Sequence, residues 1–246
     1  MKTITLFLTA VIASLLFSQC SKDGSAETFS GTGLSGSTAR FAIVANTLYT
    51  VDNSSLNVFS ITNGEKPENI GHYELGLNIE TISSYGNNLY IGSQNSVYFV
   101  DVQNPKAPRL MGIVNHFTSC DPVVSDGTYA YSTIRSGNGC NWGGNQLDVI
   151  DVSFPMNPYV LKSYPMNNPK GLAVSGKWLF VCDEGIKMFD KTDPQNLKIV
   201  DTKAGVPAND MIADGNTLIV VADDGIYTYD ISGGKLQLKG KILKSL

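Results

Sequence analysis

From Arg40 onward the chain repeats itself, and this periodicity constrains the fold more than any other feature. The segments "TLYTV", "NLYIG", "YAYST", "WLFVC" and "TLIVV" begin at Thr47, Asn88, Tyr129, Trp178 and Thr217, at spacings of 41, 41, 49 and 39 residues. A unit of this size buries its apolar face only by stacking on copies of itself. A turn signal precedes each segment: "VAN", "YGNN", "SDGT", "SGK" and "DGN". An alternating stretch follows each: "LNVFSI", "VYFVDV", "LDVIDV", "IKMFDK" and "IYTYDI". A further short apolar segment closes each cycle: "ENIGHYEL", "RLMGIV", "YVLKSY", "LKIVDT" and "LQLKGKIL". Period-two alternation marks strands, and no stretch sustains a 3.6-residue period. Four short strands per period of about 40, separated by turns, make an antiparallel blade. The expected fold is all-β, a propeller of about five four-stranded blades over residues 40–246.

The third strand of each cycle ends on an acidic or hydroxyl residue: Ser60, Asp101, Asp151, Asp190 and Asp230. The runs from these positions read "SITNGEKP", "DVQNPKAP", "DVSFPMNP", "DKTDPQNL" and "DISGGKLQ". A carboxylate here accepts backbone N–H groups of the following turn, as in an Asx turn. Proline lacks the donor that a ladder needs and fixes where pairing stops. The aspartate array is therefore expected to be structural rather than catalytic or metal-binding.

Two of these runs, "VYFVDVQNPKAP" from Val97 and "DVIDVSFPMNP" from Asp148, resemble the repeat of the LVIVD family. The resemblance extends over residues 40–246, with departures at Lys191 after the fourth-copy aspartate and at the lost proline of "YDISGGKLQ". It implies a β-propeller-like protein, in a family where secreted or lipidated members are common. It transfers no catalytic residues, and repeat scaffolds of this kind serve as binding platforms.

The first twenty residues stand apart. Lys2 precedes a mostly apolar run over residues 4–17, too short to span a membrane comfortably and typical of a secretory signal peptide. Its end, "LLFSQC", resembles a bacterial lipobox with Gln19 in place of the usual small residue. Such a departure is similar to lipoproteins of the Bacteroidetes type. The expectation is a signal peptide over residues 1–19, lipidation at Cys20, and a Gly/Ser/Thr-rich tether over residues 20–39. This places the protein on the outer membrane, at the cell surface or the periplasmic face. Ordinary cleavage with Cys20 incidental is the alternative.

The net charge of −4 and the scatter of the 18 Lys and Arg residues argue against a nucleic-acid partner. The chain shows no GxSxG, HExxH, P-loop or dinucleotide signature. Two histidines and no CxxC pair argue against zinc. No cofactor or metal is expected. The tips "CDEGI" and "ADDGI" suit tight hairpin turns better than a calcium loop.

Irregular loops gather at the end of the propeller that carries the blade-to-blade connections. The third cycle expands there into "IRSGNGCNWGGNQ" over residues 134–146, which accounts for the 49-residue spacing. Loops on such scaffolds carry function. The candidate ligand-face residues are His116, Phe117, Asp121, Arg135, Trp142, Asn168 and Asp210. Cys120 and Cys140 flank the same blade, and a disulfide between them would staple the long loop by about 3 kcal/mol in the chain-entropy model. Cys182, at the end of a strand, reads as a semi-buried thiol. The expected function is a non-catalytic lipoprotein that binds a protein or glycan partner. The alternative is a propeller hydrolase or lyase acting on carbohydrate or a lactone, using carboxylates such as Asp121, Asp183 and Asp210.

Overall fold

The computed structural model describes residues 36–115, 122–136 and 144–245. Twenty strands form five four-stranded antiparallel sheets, each a consecutive meander, and the described residues contain no helix. Blade 1 comprises β1 (Phe41–Val44), β2 (Thr47–Val51), β3 (Ser55–Ser60) and β4 (Glu68–Glu74). Blade 2 comprises β5 (Ile79–Tyr85), β6 (Asn88–Ser93), β7 (Ser96–Asp101) and β8 (Arg109–Asn115). Blade 3 comprises β9 (Val123–Ser125), β10 (Tyr129–Ile134), β11 (Gln146–Asp151) and β12 (Tyr159–Pro165). Blade 4 comprises β13 (Pro169–Ser175), β14 (Trp178–Asp183), β15 (Gly185–Asp190) and β16 (Lys198–Ala204). Blade 5 comprises β17 (Ala208–Asp214), β18 (Thr217–Ala222), β19 (Gly225–Asp230) and β20 (Gln237–Leu243).

The five segments read as second strands are the second strands, and Ser60, Asp101, Asp151, Asp190 and Asp230 each end a third strand. The four carboxylates act as expected of Asx turns. Asp101 Oδ1 accepts the Gln103 amide at 2.8 Å and Asp151 Oδ1 the Ser153 amide at 2.9 Å. Asp190 accepts the Thr192 amide at 2.9 Å and Asp230 the Ser232 amide at 2.8 Å.

The turns that follow do more than stop a strand, because each docks on the outer strand of the preceding blade. The Tyr73 hydroxyl on β4 donates to Lys106 O in the turn of blade 2. Gly112 on β8 lies so close to the turn of blade 3 that an added Cβ would meet Pro155 O at 2.3 Å and Pro158 Cδ at 2.7 Å. The Tyr164 hydroxyl on β12 donates to Pro194 O and accepts from Leu197 N in the turn of blade 4. Asp201 on β16 accepts the Leu236 amide beside the turn of blade 5. Every outer strand also carries a bulge at one equivalent place, with Ile70, Met111, Leu161, Val200 and Lys239 as the extra residues.

Apolar burial lies between the sheets. One cluster joins blades 1 and 2 through Tyr49, Leu56, Val58, Leu89, Ile91 and Val100. A second joins blades 2 and 3 through Tyr90, Phe99, Ala130 and Ile150. A third joins blades 3 and 4 through Tyr131, Val149, Leu179 and Phe189. A fourth joins blades 4 and 5 through Phe180, Met188, Leu218 and Tyr229.

The segment that leads into β1 is part of the folded body. Residues 36–39, expected to be flexible, pack into the folded body. Asp210 Oδ1 accepts Ser37 N at 3.1 Å and Ser37 Oγ at 2.7 Å, while Oδ2 accepts Thr38 N at 3.2 Å and Thr38 Oγ1 at 2.6 Å. Ser37 Oγ accepts from Leu172 N at 2.8 Å, and Ala39 O accepts from Ile82 N at 2.8 Å. This strap thus crosses from the inner strands of blades 4 and 5 to that of blade 2, and Ser37 is fully buried. Small hydroxyl residues, which read as linker composition, here donate to the half-buried carboxylate of Asp210.

Candidate functional site

Antiparallel pairing places the starts of all five inner strands at one end of the body, together with the blade-to-blade connections. A cavity of about 480 Å³ opens there, walled by all five blades: Thr38 and Arg40, Glu80 and Thr81, Pro122 and Arg135, residues 169–171, and Asn209. Three bulges build it. The β5–β6 pairing shifts register between Ile79 and Thr81, the β13–β14 pairing between Pro169 and Leu172, and the β17–β18 pairing between Ala208 and Asp210. The residues inside these shifts include Glu80, Lys170 and Asn209, and all three line the cavity. A bulge places two residues opposite one and re-aims a side chain. Here it turns three polar groups from three blades toward one space.

The polar groups are fixed by short contacts. Lys170 Nζ donates to Asn209 Oδ1 at 2.6 Å, and Asn209 Nδ2 donates to Asp223 Oδ1 at 2.5 Å. Glu80 Oε1 accepts from Gln94 Nε2 at 3.1 Å, and Arg40 Nη2 donates to Ile79 O at 2.8 Å. Thr133 Oγ1 donates to Lys170 O, which holds the β13 bulge against blade 3. Among the described residues no group of three or more His, Cys, Asp or Glu is placed to hold a metal.

Of the residues singled out from sequence, Arg135 lies in this cavity. Asn168 lies beside it, on a shallower depression shared with Lys170, Glu184 and Val206. Asp210 is engaged within the chain by Ser37 and Thr38. Asp183 is likewise committed, accepting the Asn167 and Asn168 amides and Lys187 Nζ, the last two each at 2.6 Å. Burial pushes its carboxyl up, but the Lys187 ammonium and the two amides outweigh burial and hold it below the usual carboxylate range. His116, Phe117, Asp121, Trp142 and the Cys120–Cys140 pair lie outside the described residues. The base of the long third-blade loop is described. Asn145 Oδ1 accepts Ser136 N at 2.9 Å, and Asn145 Nδ2 donates to Asn167 O, which ties the loop to the next connection. Cys182 is more deeply placed than a semi-buried thiol. It is 1% exposed, and burial, reinforced by the nearby Asp210 charge, pushes the thiol far up in pKa.

Sequence reasoning named Arg135 and missed Glu80, Lys170 and Asn209. These stand at the first residues of inner strands, where only a register shift turns them to the axis. A second cavity, of about 670 Å³, opens at the opposite end and is lined by Ser83, Asp126, Tyr129, Lys177 and Lys191 among others. Its charges are internally paired, with Lys191 Nζ 2.5 Å from Asp126 Oδ2, and Asp126 also accepts the Thr128 and Tyr129 amides.

The family model of the LVIVD repeat matches residues 78–116 and 142–165. These spans cover blade 2 and the outer half of blade 3. No curated protein matches the chain. Among solved structures, a protein from Lactobacillus plantarum is similar at a TM-score of 0.63 and 14% identity, over 81% of this chain and 68% of that one. A functionally unknown protein from Desulfotomaculum acetoxidans is similar at 0.59 and 16%, over 80% and 68%. The periplasmic gluconolactonase of Pseudomonas aeruginosa is similar at 0.58 and 16%, over 81% and 69%. At these identities the likeness is one of fold. Two stretches of the chain thus match the LVIVD repeat, and its described residues form a β-propeller of five four-stranded blades.

Proposed function

We propose that the chain is a binding propeller that receives a protein or glycan partner on the end carrying the blade connections, without performing chemistry on it. The observation that carries this reading is the convergence of Glu80, Lys170 and Asn209 from three bulges on one axial cavity beside Arg40 and Arg135. The set is mixed in charge and rich in donors, which suits recognition of a polar, partly acidic group. Hydrolysis by a carboxylate pair needs a second free acid at a set distance. Asp183 and Asp210, the described carboxylates weighed for that role, are each taken up by bonds within the chain. The proposal includes lipid attachment through Cys20 and display at the outer membrane, supported by the lipobox-like "LLFSQC" alone.

The test is affinity capture of the full chain from its native membrane, with mass spectrometry of what accompanies it. Lys170→Glu reverses a charge in the cavity wall. It should lower recovery of the partner at least tenfold while leaving the melting temperature unchanged. Equal recovery with the variant would remove the cavity from the interface. Turnover of an aldonolactone or a glycan by the purified chain, lost in the same variant, would replace binding with hydrolysis.

A further inference from the structure

Each interface between consecutive blades is made by the same two faces. The outgoing face of one blade meets the incoming face of the next, and the described residues form four such interfaces. Among the described residues no apolar cluster of this kind joins blade 5 back to blade 1. The strand pairs β1 with β5, β5 with β9, β9 with β13 and β13 with β17 have no counterpart of comparable extent from β17 to β1. Burial records the same break. The middle strands β6, β10 and β14 are buried on both faces, whereas β2 and β18 are buried only at alternate residues.

The residues left open are those the repeat assigns to the missing interface. Phe180, Cys182, Ile186 and Met188 form the outgoing face of blade 4, and each is 1% exposed or less. Their equivalents on blade 5 are Ile219, Val221, Ile226 and Thr228, of which Val221 and Ile226 are 42% and 43% exposed. On the incoming face of blade 1, Phe41 is 53% exposed, and Leu48 and Phe59 are half-buried where Leu218 and Tyr229 of blade 5 are covered. Ile242 occupies on β20 the place of Tyr73 and Tyr164, which reach the next blade's turn, and it is 74% exposed. The strap over residues 36–39 links Asp210 of blade 5 to Ile82 of blade 2 at the inner end, and Val221, Ile226 and Phe41 stay exposed with that link in place.

We infer that the occupant of these faces is a second copy of this chain, with blade 5 of one copy receiving blade 1 of the next. The argument is continuity with the four interfaces already formed. An outgoing face is shaped by the repeat to take an incoming one, and the unsatisfied incoming face belongs to blade 1. The contact is head-to-tail rather than two-fold, since it joins different patches on the two copies.

Two exposed substitutions test it on the full chain in detergent, by sedimentation over a hundredfold range of concentration. Wild type should sediment at twice the monomer mass or more as concentration rises. Ile226→Lys removes the outgoing face and Phe41→Lys the incoming face, and each variant alone should stay monomeric. Mixed in equal amounts they should form a heterodimer and nothing larger, because one live outgoing face meets one live incoming face. Monomeric wild type throughout, association that survives either substitution, or a mixture that stays monomeric would each overturn the inference. A Phe41→Cys, Val221→Cys double variant adds an independent readout. An interchain disulfide supports the head-to-tail contact, and an intrachain one shows closure within a single copy and overturns it. Melting curves for each variant establish that loss of association is not loss of fold.

Discussion

Removing the Asp210 carboxylate should release the strap that spans the propeller axis. In Asp210→Ala, Ser37 N and Thr38 N lose their acceptor, and the two hydroxyls lose theirs. Ser37 is fully buried, so water cannot replace what its amide and hydroxyl lose. A hydrogen bond to a charged acceptor contributes about 1.5–3 kcal/mol, and an orphaned buried donor costs about 1–3 kcal/mol. The Thr38 bonds are exposed and count for little. Because the two Ser37 bonds share one acceptor they do not add fully, and a loss of about 3 kcal/mol follows. For a domain of this size about 1 kcal/mol moves Tm by about 2–4 °C, so calorimetry should record a fall of about 6–12 °C. Ser37→Ala introduced into the Asp210→Ala background should cost far less than alone, giving a coupling energy of about 1–2 kcal/mol. Hydrogen exchange at the Ile82 amide, which donates to Ala39 O, should accelerate with the melt. A Tm change under about 2 °C, or fully additive single effects, would refute the strap as a structural element.

Further outcomes follow from particular contacts. Gly112→Ala drives a Cβ into Pro155 O and should cost about 1–3 kcal/mol by overpacking the joint between blades 2 and 3, read by urea denaturation. Tyr164→Phe removes one donor and one acceptor from the joint between blades 3 and 4 and should cost about 1–2 kcal/mol in the same assay. The Asp183 carboxyl is held low in the fold, so its contribution is present above about pH 4 and is lost as pH falls through the folded value. Lys187→Met removes the largest opposing charge and should move the acid-unfolding midpoint to higher pH, followed by circular dichroism. Cys182 should resist thiol reagents at pH 8 in the native protein and react on unfolding. Cys20→Ala should leave the membrane fraction on cell fractionation.

The repeat was legible because backbone pairing leaves a period-two trace in composition. Thr47, Asn88, Tyr129, Trp178 and Thr217 mark their strands without reference to any neighbour in space. The Asp101 and Asp151 turns were legible for the same reason, since donor and acceptor lie two residues apart. What was hidden depended on distance along the chain. Ser37 and Asp210 are separated by 173 residues, and nothing in "GSTAR" distinguishes a buried strap from a linker. Glu80, Lys170 and Asn209 face the axis through register shifts, which composition does not record. The role of Gly112 as the floor under Pro155 and Pro158 is likewise a property of two blades together.

The bulge shared by all five outer strands has a consequence for how these molecules behave when crowded. Each outer strand is an edge, with a row of unpaired amides and carbonyls that could template another chain's strand. A regular six-residue edge, such as β8, β12, β16 or β20 would be without its extra residue, offers a straight ladder for amyloid-like stacking. The extra residue at Met111, Leu161, Val200 or Lys239 breaks the donor spacing part-way along and bends the rim, so an incoming strand loses register after two or three bonds. The rim of the propeller therefore resists edge-to-edge aggregation through backbone geometry. That protection is independent of side-chain charge, and it should persist at salt concentrations that screen the surface lysines.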